Sequence, residues 1–187
     1  VKSNHTPWNP ERLDVTAFAQ EGEVMKGHWP VSSFERLMSA CAPAAALSQE
    51  NGALVEWQIA GERKRVLGAD PQIWLHLKAY AEVSLTCQRC LEQVFCPLQV
   101  DRHFLFVKNE TAALEWDEAI EEEVLEMTSS LDVRALVEDE LLLALPLVPR
   151  HEMCSHQSSA VAWLDAQREE SSATNPFAVL AKLKNGS

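Results

Sequence analysis

The sequence predicts an α+β fold: an antiparallel β-sheet, or a small partly closed barrel, with a few packed helices and a flexible C-terminal arm. Three observations predict it. From Ile73 to Cys87 every odd position is apolar or small, whereas the even positions Trp74, His76, Lys78, Tyr80, Glu82, Ser84 and Thr86 are polar or amphipathic. Alternation of period two over so long a run is the pattern of a half-buried strand. A second alternating run, Val94, Cys96, Leu98 and Val100, follows Cys90 and continues to Val107, so the chain reverses around Cys87-Gln88-Arg89-Cys90 into an antiparallel partner. Further on, Val133, Leu136, Val137, Leu141, Ala144 and Leu145 recur at helical spacing behind Asp132, a good N-cap, with Arg134, Glu138 and Asp139 on the other side.

The other elements follow in chain order. His5-Thr6-Pro7-Trp8-Asn9-Pro10 is turn-rich and extended. Ser32-Ser33-Phe34-Glu35 has the form of a capping box, opening a short helix with Phe34, Leu37, Met38 and Cys41 on one face and Pro43 beyond it. Leu54 to Ile59 alternates, with Val55, Trp57 and Ile59 together. Gly61 reads as a turn, with Arg63-Lys64-Arg65 opening a further short strand to Leu67. The strand from Ile73 would extend ~50 Å at about 3.3 Å per residue, which predicts a bend or bulge within it. Pro97 lacks a ladder donor and predicts an edge or a bulge. Residues 108–130 read as an acidic connector, and Pro146 and Pro149 follow the helix. The polar, small-residue stretch from Ser155 to Thr174 reads as a mobile linker. It leads to Asn175-Pro176-Phe177, a helix start, with Phe177, Leu180, Ala181 and Leu183 apolar and Lys182 and Lys184 at the negative helix end. The expected organisation is one α+β domain over 1–154 and a linker with a recognition helix over 155–187.

Charge is unevenly spread. The chain of 187 residues carries −12 overall, and residues 110–140 hold twelve of its 28 acidic residues but, among 16 basic ones, only Arg134. Such a segment repels phosphate and attracts basic partners, or else is a solvated linker. No apolar run has the length of a bilayer span and no signal peptide is evident, so a cytoplasmic location without a membrane partner is expected. Five cysteines in such a chain point to free thiols or a metal site rather than a disulfide framework. With six glycines and no phosphate-cradling loop or nucleophile elbow, there is no fingerprint of a kinase, dinucleotide enzyme or hydrolase. No catalytic residue is assigned.

Cys87 and Cys90 have zinc-knuckle spacing, and His151, Cys154 and His156 lie downstream within a short segment. Thiolate and imidazole together suit the softness and tetrahedral preference of Zn, so these five residues are the candidate ligands of a structural site; no other cofactor is expected. The competing readings are small, partly buried residues at a hairpin, and a redox dithiol with Arg89 between its thiols. A redox pair, however, normally opens a helix, and here the flanks read as strands. Cys41 and Cys96 lie on apolar faces and read as core residues.

Three segments taken together, Cys87-Gln88-Arg89-Cys90, the run from Val137 to Pro149, and Asn175-Pro176-Phe177 through Lys184, resemble the YceD family of large ribosomal RNA subunit accumulation proteins. The resemblance implies a non-enzymatic role in accumulation of 23S rRNA and assembly of the large ribosomal subunit. Relatives with more C-terminal cysteines look like zinc binders; this chain has only Cys154 after Pro149. The implied partners are 23S rRNA or the pre-ribosomal large subunit, or a basic ribosomal protein or assembly factor. For RNA the candidate contacts are Arg63, Lys64, Arg65 and Arg89, with Arg102, Lys182 and Lys184, and Trp74 or Tyr80 as stacking surfaces. For a protein partner they are Asn175, Pro176, Phe177, Leu180 and Leu183. The alternatives are a zinc-stabilised adaptor for other proteins and a thiol redox protein.

Overall fold

The computed structural model describes residues 8–41, 52–68, 70–109, 111–112, 116 and 120–154. Five strands, β1 (Val24–Pro30), β2 (Leu54–Lys64), β3 (Gln72–Thr86), β4 (Gln93–Val107) and β5 (Glu123–Glu126), form one sheet in sequence order. Successive pairs from β1 to β4 are antiparallel, and β5 lies parallel to β4. The sheet is open, with β1 and β5 at its ends, and does not close into a barrel. Among the described residues, helices α1 (Val15–Glu21), α2 (Glu35–Ala40) and α3 (Val133–Leu143) accompany the sheet.

The long alternating run is β3, with Ile73, Leu75, Leu77, Ala79, Ala81, Val83 and Leu85 all buried. They join Phe18 of α1, Leu37 of α2 and Val133, Val137 and Leu141 of α3 in a single core. The expected bulge is absent. Pairing runs without interruption from Ile73↔Phe106 to Thr86↔Gln93. An extra residue anywhere in β3 would turn all later apolar side chains to the wrong face, so uniform burial on one side enforces uniform register. Pro97 lies where β4 has no β5 beside it, since β5 pairs only with Phe104 to Val107, so it does sit at an edge.

Gly61 is not a turn. It lies inside β2, opposite Leu75, and β2 continues through Arg63 to Lys64. The turn follows instead, beyond Lys64, with Gly68 at φ +79°. Two N-terminal elements have no counterpart in the sequence reading: β1, and α1, which Asp14 caps by accepting from the Ala17 amide (3.0 Å) and Gly22 ends at φ +65°. Leu13 and Leu131 exchange backbone hydrogen bonds of 2.8 Å each, tying this N-terminal layer to the entry of α3.

The acidic segment is partly structural. Its strand β5 places Val124 opposite Leu105, and with Ile120 and Ala112 it covers Trp74, Leu105 and Val107 on the outer face of the sheet. Trp74 is therefore buried, beneath Val124 and Ile120 and with Lys64 Nζ 4.3 Å from its ring centroid, and is closed to base stacking. Tyr80 stays 41% exposed. Several acidic side chains are paired internally: Glu138 and Asp139 with Arg36, and Glu123 and Glu140 with Arg102.

Helix α2 begins without the capping box. Phe34 is its N-cap and contributes no side-chain hydrogen bond, because residues Val31–Ser33 wind into a 3₁₀ turn. Glu138 of α3 caps the helix from outside: its Oε1 accepts from the amides of Arg36 (2.8 Å) and Leu37 (3.1 Å), and its Oε2 from the Arg36 guanidinium (3.0 and 3.1 Å). One carboxylate thus satisfies orphan helix donors and docks two helices. Glu138→Ala is expected to cost about 1–2 kcal/mol, the range of a lost cap plus an exposed ion pair. Urea unfolding measures it, and Glu138→Gln, which keeps an acceptor oxygen, should recover part of the loss.

Glu140 behaves oppositely. Burial raises its carboxyl pKa above the ordinary value, the nearby Glu123 carboxylate adds to this, and Arg102 Nε at 3.4 Å opposes it. A raised pKa means that the fold favours the protonated form. That contribution is complete below the unfolded value of about 4.3 and is lost as pH rises through the folded value. Glu140→Gln should therefore flatten the stability profile as pH rises above the unfolded value of about 4.3: the urea midpoint of the parent should fall more steeply on that rise than that of the variant.

Candidate metal centre

Strand β3 delivers Cys87 into the core, 0% exposed, and the chain turns at once. The Cys87 amide donates to Glu92 O (2.8 Å) and the Leu91 amide to Cys87 O (2.9 Å), closing a compact turn that carries Cys90. Leu91 takes φ +64°, a left-handed conformation that costs a side-chain-bearing residue about 1–2 kcal/mol. Beyond α3, Pro146 and Pro149 prevent helix continuation and lead the chain back, where the Gln88 amide donates to Pro149 O (2.8 Å). His151 and Cys154 thereby face the turn.

The ligating atoms of Cys87, Cys90, His151 and Cys154 all lie within 4.8 Å of one another. The Cys87 and Cys154 sulfurs are 3.8 Å apart, and His151 Nδ1 is 3.4 Å from the Cys90 sulfur and 3.9 Å from that of Cys154. A tetrahedral zinc, with metal–sulfur bonds of about 2.3 Å and a metal–nitrogen bond of about 2.0–2.1 Å, requires separations of about 3.8 Å and 3.6 Å. The four donors therefore match the size of such an ion. His151 Nε2 is 2.9 Å from Gln93 O. A carbonyl only accepts, so Nε2 carries a proton and Nδ1 is directed at the sulfurs; the Cys154 and Cys87 sulfurs raise the imidazole pKa, so an ion taking the Nδ1 lone pair competes with the proton they favour there.

Electrostatics favour a thiolate at Cys87. Burial pushes its pKa up, but the backbone amides of Cys90, Arg89 and His151, with the Cys90 thiol, outweigh this and hold it at about 5. At Cys90 the Glu92 amide lowers the pKa, whereas burial and the neighbouring Cys154 and Cys87 sulfurs push it up to about 11. Arg89 folds over the cluster, its Nε donating to the Cys154 sulfur (2.9 Å) and its Nη2 to His151 O (3.2 Å). Cys41 and Cys96 stand apart, packed at the margin of the core, and burial raises both thiols.

The sequence candidates thus separate. Cys87, Cys90, His151 and Cys154 meet; His156 lies outside the described residues, as do Asn175, Pro176, Phe177, Leu180 and Leu183 and the expected linker. Arg63, Lys64 and Arg65 lie at the opposite end of the β3 ribbon from Arg89, ~45 Å away at about 3.3 Å per residue. Lys64 is occupied by the Trp74 ring and Glu62, and Arg102 by Glu140 and Glu123. Gln93, whose carbonyl orients His151, has no counterpart in the sequence expectations, and Arg89, expected beside the Cys87 and Cys90 thiols, donates instead to Cys154. Backbone carbonyls leave no side-chain signature, and the contact depends on a return of the chain across more than fifty positions.

A family model described as "Large ribosomal RNA subunit accumulation protein YceD" matches residues 75–184, more than half of the chain. The chain belongs to the YceD family. The protein of that name from Haemophilus influenzae is 36% identical over 119 residues, covering 62% of this chain and 68% of the relative. No solved structure matches. All four clustered residues fall within the YceD match, which begins inside β3, whereas α1, β1, α2 and β2 precede it. No helix among the described residues is long and apolar enough to cross a membrane.

Proposed function

We propose that this chain supports 23S rRNA accumulation and large-subunit assembly as a non-enzymatic binding factor, with a structural zinc held by Cys87, Cys90, His151 and Cys154. Membership of a family described by large ribosomal RNA subunit accumulation supports the role. The observation that carries the zinc is the donor set itself: four soft ligands at tetrahedral spacing, with the imidazole already oriented. When bound, zinc would cross-link the β3–β4 turn to residues 149–154. Three thiolates and a neutral imidazole around a dication leave one negative charge, which Arg89 stands ready to balance. All four protein ligands filling the coordination sphere is the pattern of a structural ion, not a catalytic one.

The binding partner is read as rRNA, with Arg63 and Arg65 as phosphate contacts, or as a basic ribosomal or assembly protein drawn to the acidic segment. Crosslinked purification with RNA sequencing and mass spectrometry tests this. Enrichment of one 23S segment, lost in an Arg63→Glu/Arg65→Glu double variant, supports RNA; a ribosomal protein recovered without specific RNA moves the contact to the acidic segment. Lys64 is left intact because it packs on Trp74. Failure to recover either sinks the binding reading. The low Cys87 pKa also suits a redox thiolate. Metal analysis separates that role: about one zinc per purified chain rejects it, and metal-free protein cycling a Cys87 disulfide with a reductase favours it.

A further inference from the structure

On the outer face of the sheet, away from the Cys-His cluster, three further ligating side chains converge. His76 of β3 and His103 of β4 are direct cross-strand partners, and Asp101 lies two residues before His103 on the same face. His76 Nε2 is 2.6 Å from Asp101 Oδ1, the two imidazole rings stack with centroids 3.9 Å apart, and one ligating atom from each of the three residues lies within 4.8 Å of the others. We propose that His76, His103 and Asp101 form a second, surface site for a divalent late-transition-metal ion such as zinc or nickel.

Three features carry this. The chemistry is selective: two imidazoles with one carboxylate suit zinc, nickel or copper, not the all-oxygen shells of magnesium or calcium. The scaffold is firm, since the three residues hang from the uninterrupted β3–β4 ladder over a buried core, so only side chains need to move. That movement is small and defined. Stacked rings only 12° from parallel cannot both direct in-plane lone pairs at one point, so His103 tilts away from His76 as the ion enters, and the ion takes the place of the proton between His76 and Asp101. His103 is exposed, and the tilt gives up its stack on His76.

Lys78 Nζ lies 3.4 Å from Asp101 Oδ2 and opposes the incoming charge, so the site is weaker than the thiolate cluster. With His103 and Asp101 open to solvent, the ion keeps water ligands and remains exchangeable, in contrast to the closed Cys-His set. Imidazole must be neutral to ligate, so binding weakens on acidification.

The test follows the histidine ring resonances of the full chain by NMR, first loaded with one equivalent of zinc and then titrated with zinc. The expected result is a saturable shift of the His76 and His103 rings together, at one further ion per chain, with His28 on the same face unmoved. His103→Ala and Asp101→Asn should each weaken the second ion by at least about tenfold, since even the loss of an outer-shell partner has that effect. Absence of a saturable shift up to about 1 mM zinc, or unchanged affinity in both variants, overturns the proposal. Repeating the titration in Cys87→Ser separates the two sites: the ring shifts should persist there whether or not the thiolate cluster holds a metal.

Discussion

Replacing Cys87 by serine is expected to release residues 149–154 from the β3–β4 turn while leaving the rest of the sheet intact. With zinc held, the variant should fall from about one bound ion per chain to near zero. The Gln88 amide, which donates to Pro149 O, should lose its hydrogen-exchange protection, whereas amides in the middle of β3 should keep theirs. The free energy at stake is large. Structural zinc contributes about 10–16 kcal/mol of apparent binding energy in peptides that have nothing else to fold around, and a smaller share is expected here, where a full apolar core exists independently. A fall in melting temperature of about 8 °C or more is the expected scale, corresponding to roughly 3 kcal/mol in a domain of this size. Chelator treatment should bring the parent down to the variant and leave the variant unmoved. If chelator changes neither protein and the variant melts within about 2 °C of the parent, the cluster is a packing arrangement only and the zinc reading fails.

Gly61→Ala is expected to be the most damaging single methyl group in the sheet. A Cβ at this position would stand 2.7 Å from Ala19 Cα, 2.9 Å from Ala19 N and 2.8 Å from Phe18 Cδ1. Two of those atoms are helix backbone and cannot swing aside, and Phe18 is fully buried. Relief requires α1 to move off β2, opening the core beneath it. The cost should be about 2–3 kcal/mol, the upper part of the range for overpacking, read as a lower urea midpoint at an unchanged slope. Gly52→Ala is the control: a Cβ there meets nothing within 4 Å, so a change within about 0.5 kcal/mol is expected. Equal stability of both variants would mean that α1 does not hold its observed position against the sheet.

The same glycine shows where a sequence reading stops. Gly61 in a polar context, followed by Arg63-Lys64-Arg65, has the local signature of a turn, yet the chain passes straight through it. The glycine is there because a helix from another part of the chain approaches the strand, and close approach leaves no mark on neighbouring residues. Strand β5 escaped notice for a related reason. Four residues, Glu123 to Glu126, are too few to show a period, and their acidic neighbours hide the contribution of Val124 to the outer apolar cluster. The cap of α2 is a third case: Ser32 and Glu35 satisfy the local rule, but Glu138, about a hundred positions away, supplies the acceptor.

Elements whose pattern repeats within their own length were legible from sequence alone. These were β3 and β4 by their alternation, α3 by its Asp132 cap and apolar stripe, and the reversal at Cys87 to Cys90 by its position between the two alternating runs. The pairing of that turn with His151 and Cys154 was legible as chemistry, because thiol and imidazole are few and recognisable. Tertiary structure alone decided which distant groups complete each site: Gln93 O behind His151, Arg89 over Cys154, His103 beside His76, and α1 against Gly61. Periodicity is a property of neighbours along the chain and survives in the sequence. Partnership across the fold depends on the register and docking of whole elements, which are set by the burial of the core and by no single segment.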